Sequence, residues 1–370
     1  MTKAAELAKM GEVITNSQLG GRRNIVINGA MDVAQRSTSV TDIGATTGYF
    51  TCDRWQMAEN DASAGRFTMS QTADGPNGVS ANCLKLDCTT ADTSIAAAEY
   101  LFLANNFEGQ DLQGISKGLT GAKEVTVSFY VKANAAFNFV VEFQDRDNSR
   151  TNGRIFATTT DWVRHEITFQ ADVDDGSSPF DDDNAASARV NFWLHAGATY
   201  TGGTLASSWE NITQANRAAG IDSFFSSTDN NFFLTGVQVE VGSQATPFEQ
   251  RSFGEELALC KRYYNKQLVA SSNFTMGGLV DGSRYSANVF EFSPPLRAAP
   301  TAIETSGTAS DYAMRQTTTQ ALDAVPTFST GDVNSTCFNM DKNGHGLTSG
   351  TKVFLRSQDA DCFLAWSAEL

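Results

Sequence analysis

Residues Thr2 to Ile14 place Ala4, Leu7, Met10 and Ile14 at three- and four-residue steps, the spacing of one helix face. The stripe is narrow and a helix this short is marginal alone in water, so it calls for a partner: its own domain, copies of itself or a neighbouring protein. Gln18 to Arg23, with the Gly20-Gly21 pair, reads as a joint. From Asn24 the period changes to two. Apolar rows run through Val125, Val127, Phe129 and Val131, through Phe137, Phe139, Val141 and Phe143, through Val190, Phe192 and Leu194, and through Val237, Val239 and Val241. Trp162 to Phe169 reads as another strand. Strands separated by loops, with no amphipathic helices between them, predict an antiparallel all-β architecture.

Ser252 followed by Glu255 is a capping box that opens a helix with acid at its front and base at its back. Behind it, Ser286 to Phe292, Lys352 to Leu355 and Cys362 to Ser367 return to strand patterning, with breaks at Ser293-Pro294-Pro295 and Ala299-Pro300-Thr301. The predicted organisation is an N-terminal helix and joint over 1–22, serving attachment or oligomerisation, and a jelly-roll β-sandwich over 23–250. A connecting helix over 251–269 and a small C-terminal β-sandwich domain over 270–370 follow.

Composition agrees with sheets joined by Gly-rich turns: 25 Phe and 30 Gly stand against 7 Pro and 3 His. Lys and Arg total 27 and Asp and Glu 42, a net charge of −15 that argues against nucleic acid and anionic membranes as partners. No window approaches the roughly 18 uncharged apolar residues of a spanning helix, and Met1 to Gly11 lacks a signal-peptide core, which predicts a soluble protein made in a cytosol without membrane insertion. The six cysteines, Cys52, Cys83, Cys88, Cys260, Cys337 and Cys362, show no CxxC spacing and read as buried thiols, with a Cys83–Cys88 pair left open.

Phosphate-binding glycine loops and a GxSxG elbow are absent, and His165, His195 and His345 stand far apart, each expected on a surface or half-buried. The stretch Ala171 to Asn184, with Asp172, Asp174, Asp175, Asp181, Asp182 and Asp183, predicts an exposed acidic loop. Asp145 and Asp147 are candidate Ca²⁺ ligands, though the EF-hand spacing is missing. Opposite the apolar rows the same strands carry Tyr130, Asn138, Glu142, Gln144, Asn191, Trp193, His195, Gln238 and Glu240. A flat aromatic among amides and carboxylates suits a sugar ring, whose C–H face stacks while its hydroxyls bond. The same pattern also fits an outer face covered by a loop or another subunit. Trp209, in the loop Gly197 to Ser227 with a helical stretch expected over Asn211 to Ala219, is a further glycan candidate; Trp55 and Trp162 read as core.

Arg22 to Met31 (RRNIVINGAM) with Ala34-Gln35-Arg36 and Asp53-Arg54-Trp55, then Leu234 to Gly242 (LTGVQVEVG) with Ala245 to Glu249 (ATPFE), then Glu255 to Tyr264, together resemble bacteriophage virion proteins of the tail-fibre and tail-spike kind. The middle region is similar to jelly-roll carbohydrate-binding modules, and Arg297 to Thr301 and Ala365 to Leu370 look like parts of the same phage proteins. The resemblance implies a multimeric, non-enzymatic virion component: a homotrimer that meets other virion proteins through its N-terminal helix and contributes to attachment to host-surface glycan. A capsid-surface decoration or head-fibre protein meets the same requirements. A glycan-degrading virion enzyme would need only two well-placed carboxylates.

Overall fold

A computed structural model describes Lys3 and residues 23–60, 63–173, 178–268, 274–282 and 285–370. Apart from Lys3, the expected helix and joint over 1–22 lie outside the described residues. The chain divides into two compact units, Met1–Glu256 with Leu370, and Leu257–Glu369.

The first unit contains β1 (Ser39–Ile43), β2 (Gly48–Tyr49), β3 (Gln56–Glu59), β4 (Arg66–Thr72), β5 (Cys83–Thr90), β6 (Tyr100–Glu108), β7 (Val125–Ala133), β8 (Asn138–Asp145), β9 (Arg150–Ala157), β10 (Val163–Phe169), β11 (Ala186–Ala196), β12 (Glu210–Asn211) and β13 (Asn231–Val241). They form a six-stranded sheet, β1-β4-β5-β13-β7-β10, and a seven-stranded sheet, β12-β9-β8-β11-β6-β3-β2. The chain crosses repeatedly from one sheet to the other, in the manner of a jelly roll. The apolar rows do what their period requires. Val127, Phe129 and Val131 on β7 and Val237 and Val239 on β13 meet Phe139, Val141 and Phe143 on β8 and Val190, Phe192 and Leu194 on β11 in one buried core. Phe129 meets Phe192 edge to face with centroids 5.0 Å apart, and Trp55 is fully buried beside them.

Residues 23–31 and 246–251 form the structural joint of this unit. Asn28, held at φ 60°, donates from Nδ2 to the carbonyls of Val33 (2.8 Å) and Asp53 (2.9 Å) and accepts from Val33 N at 3.0 Å, while Trp55 Nε1 donates to its carbonyl at 3.0 Å. Glu249 accepts from the backbone amides of Arg23 and Asn24, and Arg251 donates to the carbonyls of Asn24 and Val26. The segment that leads into the sandwich and the segment that leaves it are thereby clamped side by side.

The helix α2 (Phe253–Lys261), preceded by a short turn α1 (Ala198–Thr201), spans the division between the units. Ser252 N and Oγ donate to Glu255 Oε2 at 3.0 and 2.8 Å and Glu255 N donates back to Ser252 Oγ at 3.3 Å, the predicted capping box. The helix stops at Lys261, short of the expected 269, because Tyr264 already pairs in a strand.

The second unit holds β14 (Tyr264–Leu268), β15 (Phe274–Asp281), β16 (Tyr285–Glu291), β17 (Glu304–Thr305), β18 (Tyr312–Arg315), β19 (Thr319–Ala321), β20 (Thr327–Gly331), β21 (Ser335–Asp341), β22 (Lys352–Ser357) and β23 (Phe363–Ser367). A seven-stranded sheet, β19-β18-β22-β15-β16-β21-β20, and a three-stranded one, β14-β23-β17, enclose a core centred on Trp366, whose ring stacks on Phe290 at 5.0 Å. Arg297 Nε donates to Ala368 O at 2.8 Å, holding the stretch after β23 in this unit. All six cysteines are free thiols; Cys337 is half-buried and the other five are buried.

Candidate functional site

The predicted polar face separates into two surfaces on opposite sides of the sandwich. Glu142 and Asn191 pair across β8 and β11, and Trp193 pairs with Val140, all on the outer face of the seven-stranded sheet. That face is closed. Trp193, Asn191, Glu142 and His195 are each 0% exposed, so the expected open sugar platform is corrected to a covered one. The cover is the segment between β11 and the 3-10 turn Phe224–Ser226: Tyr200 and Ala218 pack against Trp193, whose cross-strand neighbour Phe102 lies 4.7 Å away between centroids. The stretch expected to be helical over 211–219 contains a single 3-10 turn, Gln214–Asn216.

Arg217 is the bolt of this cover. Its Nε donates to Glu142 Oε1 at 2.8 Å and its Nη2 to Glu142 Oε2 at 2.9 Å and Gln144 Oε1 at 2.9 Å, while the guanidinium lies 4.8 Å from the Trp193 ring centre. Trp193 Nε1 and Asn191 Nδ2 each donate to Glu142 Oε2 at 2.7 Å, and Thr151 Oγ1 donates to Oε1. Burial alone would raise the Glu142 carboxyl; the Arg217 charge and these hydrogen bonds outweigh it and hold it at about 2. A carboxylate so saturated is a structural anion, fully committed to its donors.

His195 Nδ1 lies 2.8 Å from Ser223 Oγ and Nε2 3.4 Å from Glu99 Oε2. These residue types also build nucleophilic triads, but here Ser223 Oγ accepts from Phe225 N at 3.2 Å, capping a 3-10 turn, and the Phe225 ring sits 5.1 Å from the imidazole. The group ties the cover back to β11. His345 is also buried, against expectation, whereas His165 is half-buried as expected.

Gln238 and Glu240 belong to the six-stranded sheet and are likewise buried. Gln238 Nε2 donates to Glu240 Oε2 at 2.7 Å, Thr246 N donates to the same oxygen at 3.0 Å, and Glu249 N donates to Gln238 Oε1 at 2.8 Å. Both residues hold the outgoing segment of the clamp. Trp209 is half-buried, edge-on to Phe143 at 5.8 Å, with Nε1 donating to Gln170 O at 2.8 Å, so it pins the loop to the body.

Tyr130 is the predicted residue that keeps an open side, on the outer face of the six-stranded sheet. Its neighbours were not foreseen. Lys85, Phe233 and Lys132 stand abreast on β5, β13 and β7, and Trp162, expected in the core, is half-buried beside them just ahead of β10. Lys132 Nζ lies 4.7 Å from the Phe233 ring centre and 5.2 Å from that of Trp162, Lys85 Nζ 5.6 Å from Phe233, and Arg164 5.9 Å from Tyr130. Asp74 fixes the edge, accepting from Lys132 Nζ at 2.6 Å and from Trp162 Nε1 through its carbonyl at 3.1 Å. This is a half-buried row of rings and ammonium groups on the outer face, which the alternation signals by putting Tyr130, Lys132, Lys85 and Phe233 out of step with the buried residues.

Of the calcium candidates, Asp145 is buried against Lys117, whose Nζ lies 2.5 Å from Oδ2, and also accepts from Asn148. Asp147 is exposed and accepts from Asp181 N at 3.1 Å. The acidic loop is only partly exposed: Asp181, Asp182 and Asp183 face solvent, while Asp172 is buried and takes Arg150 Nε and Nη2 at 2.9 Å each. Asp174 and Asp175 lie outside the described residues. Among the described residues, no group of three or more His, Cys, Asp or Glu is placed to hold a metal ion.

The fold defines a chain of two antiparallel β units, the first a jelly-roll-like sandwich. No protein-family model matches it, and no curated protein matches it. Solved structures similar to part of it include one described as CBM4, 12% identical, covering 58% of this chain and 99% of that one at a TM-score of 0.30. Others are a family 30 carbohydrate binding module (12%, 63% and 94%, TM-score 0.30) and the family 11 carbohydrate-binding module of the cellulosomal cellulase Lic26A-Cel5E of Clostridium thermocellum (12%, 55% and 99%, TM-score 0.27).

Proposed function

We propose that the chain is a non-enzymatic structural component of a phage virion, a tail fibre or tail-associated protein that contributes to attachment to host-surface glycan. The observation that carries the reading is the clamp built from the stretches that resemble virion proteins. By fastening residues 23–26 to residues 246–251, it lets a pull along the chain pass across one hydrogen-bonded joint instead of unzipping the sandwich. That is the mechanical need of a domain strung along a particle appendage. In this reading residues 1–22 join copies into a homotrimer and meet other virion proteins.

Within this reading the glycan surface is the Trp162, Phe233 and Tyr130 row, since the Trp193 face is closed. An exposed ring stacked on a pyranose contributes on the order of 1 kcal/mol or more, about fivefold to tenfold in affinity. Labelled protein on intact particles is expected to decorate tails; decoration of heads instead would transfer the protein to the capsid surface. Trp162→Ala is expected to lose glycan-array or adsorption signal with little change in melting, and release of reducing ends from host polysaccharide would overturn the non-enzymatic assignment.

A further inference from the structure

The cover on the seven-stranded sheet roofs the Trp193 end of its outer face. Toward the other end, Gln144 on β8, Arg189 on β11 and Asn106 on β6 stand directly opposite one another. Arg189 is half-buried, with its guanidinium 4.9 Å from the Phe102 ring centre and its Nε donating to Gln144 Oε1 at 2.7 Å. A guanidinium that lies on a ring with Nε engaged keeps its Nη1 and Nη2 groups for a second acceptor, and a carboxylate meets such a fork with parallel hydrogen bonds. Arg146, exposed in the turn after β8, reaches the same row, where its Nη1 donates to Asn106 Oδ1 at 3.3 Å.

The carboxylates nearby are committed elsewhere. Glu142 gives both oxygens to Arg217, Glu108 Oε2 accepts from Gln110 Nε2 at 2.6 Å, and Asp147 Oδ2 accepts from Asp181 N at 3.1 Å. The acceptors that Arg189 and Arg146 do have are neutral amides, and Gln144 Oε1 is shared with Arg217 and Asn191. Three guanidinium groups thus gather about one buried carboxylate, in a chain whose net charge is −15. Burial brings Arg189 down to about 10; Glu142 opposes that shift, and the charges of Arg217 and Arg146 add to it. Packing on Phe102 would account for one arginine. It does not account for a second brought up beside it against repulsion, which a bound anion would relieve.

We infer that Arg146 and Arg189 bind the carboxylate of an acidic sugar. Two arginines on a strongly acidic chain fit a single oxyanion, not the phosphate backbone of a nucleic acid or an anionic membrane. That the carboxylate arrives on a sugar rests on the glycan-attachment reading; the oxyanion site itself does not. The Trp162 row belongs to the other sheet, so the two surfaces can fail separately. The test is calorimetric titration of the full chain with oligogalacturonate and with its methyl ester, which keeps the rings and removes the charges. The uronate is expected to bind about tenfold or more tighter than the ester, and less so as salt rises. Arg146→Gln and Arg189→Lys, the second of which keeps the charge but loses the fork, should each weaken uronate binding about fivefold or more, while Trp162→Ala leaves it unchanged. Melting checks folding, and Arg146→Glu, in the exposed turn, replaces Arg189→Lys if that variant fails to fold. No uronate binding, equal affinity for uronate and ester, indifference to the arginine variants, loss on Trp162→Ala, or inorganic phosphate bound as tightly as the uronate overturns the inference.

Discussion

Gly29 lies so close to β13 that a Cβ built on it would sit 2.1 Å from Val237 O, whose own amide donates to Gly29 O at 3.0 Å. Backbone cannot withdraw cheaply from such a contact. Gly29→Ala is expected to cost roughly 2 kcal/mol, at the upper part of the overpacking range, and to lower the melting temperature by several degrees in a scanning calorimeter. Trp193 makes the matching case for a buried side chain. Trp193→Ala empties a site lined by Phe102, Tyr200 and Arg217 and removes a donor from Glu142, so about 3–5 kcal/mol of stability should go. Trp162→Ala, on the open face, should change melting far less. At this scale alternation in the sequence sorts inward from outward residues correctly on β7, β8 and β11. It cannot say that an outward residue will be roofed, because the roof comes from residues remote along the chain. The available signal was the apolar content of the loop itself, with Tyr200, Leu205, Ala218 and Ile221 around one arginine.

The segment carrying that arginine is held by one buried ion pair, Arg217 with Glu142, and by the His195–Ser223 contact at its far end. Arg217→Ala would leave the Glu142 carboxylate desolvated and without its counter-charge, a loss of about 3–5 kcal/mol where one partner of a buried pair is removed. The expected readout is local first: limited proteolysis should cut the exposed stretch around Gly202 and Gly203 faster, at denaturant concentrations where the wild-type sandwich resists. Equal cutting rates would show that the cover is held by its apolar contacts alone. Among elements, the capped helix and the Phe- and Val-rich strands were legible because local chemistry decides them. Strands β14, β15 and β17 to β21 were not. Their residues, such as Met276-Gly277-Gly278 and Thr327-Phe328-Ser329-Thr330, are poor in β-branched apolar runs, and pairing with β16, β21 and β22 holds them in place.

The sandwich as a whole should be acid-labile, and two groups set the sign. His195 is held below its ordinary value first by burial, which the neighbouring Glu99 and Asp92 charges only partly offset. Below about pH 6.5 the unfolded chain protonates this imidazole more readily than the folded one, so stability falls as pH falls through that window. Glu142, at about 2 in the folded protein, adds a lower window: between its ordinary value of 4.5 and 2 the unfolded chain again binds the extra proton. That carboxylate contributes about 3 kcal/mol above pH 5 and loses it progressively toward pH 2. Both terms have stability rising with pH, and neither opposes the other. Denaturant midpoints followed by tryptophan fluorescence, to which Trp55 and Trp193 report from the core and the roofed face, should therefore fall in two steps between pH 7 and pH 3. His195→Gln should remove the upper step and leave the lower one. A midpoint flat from pH 7 to pH 3 would mean that Glu142 and His195 titrate alike in the folded and unfolded chain, and that the cover over Trp193 does not exclude water in solution.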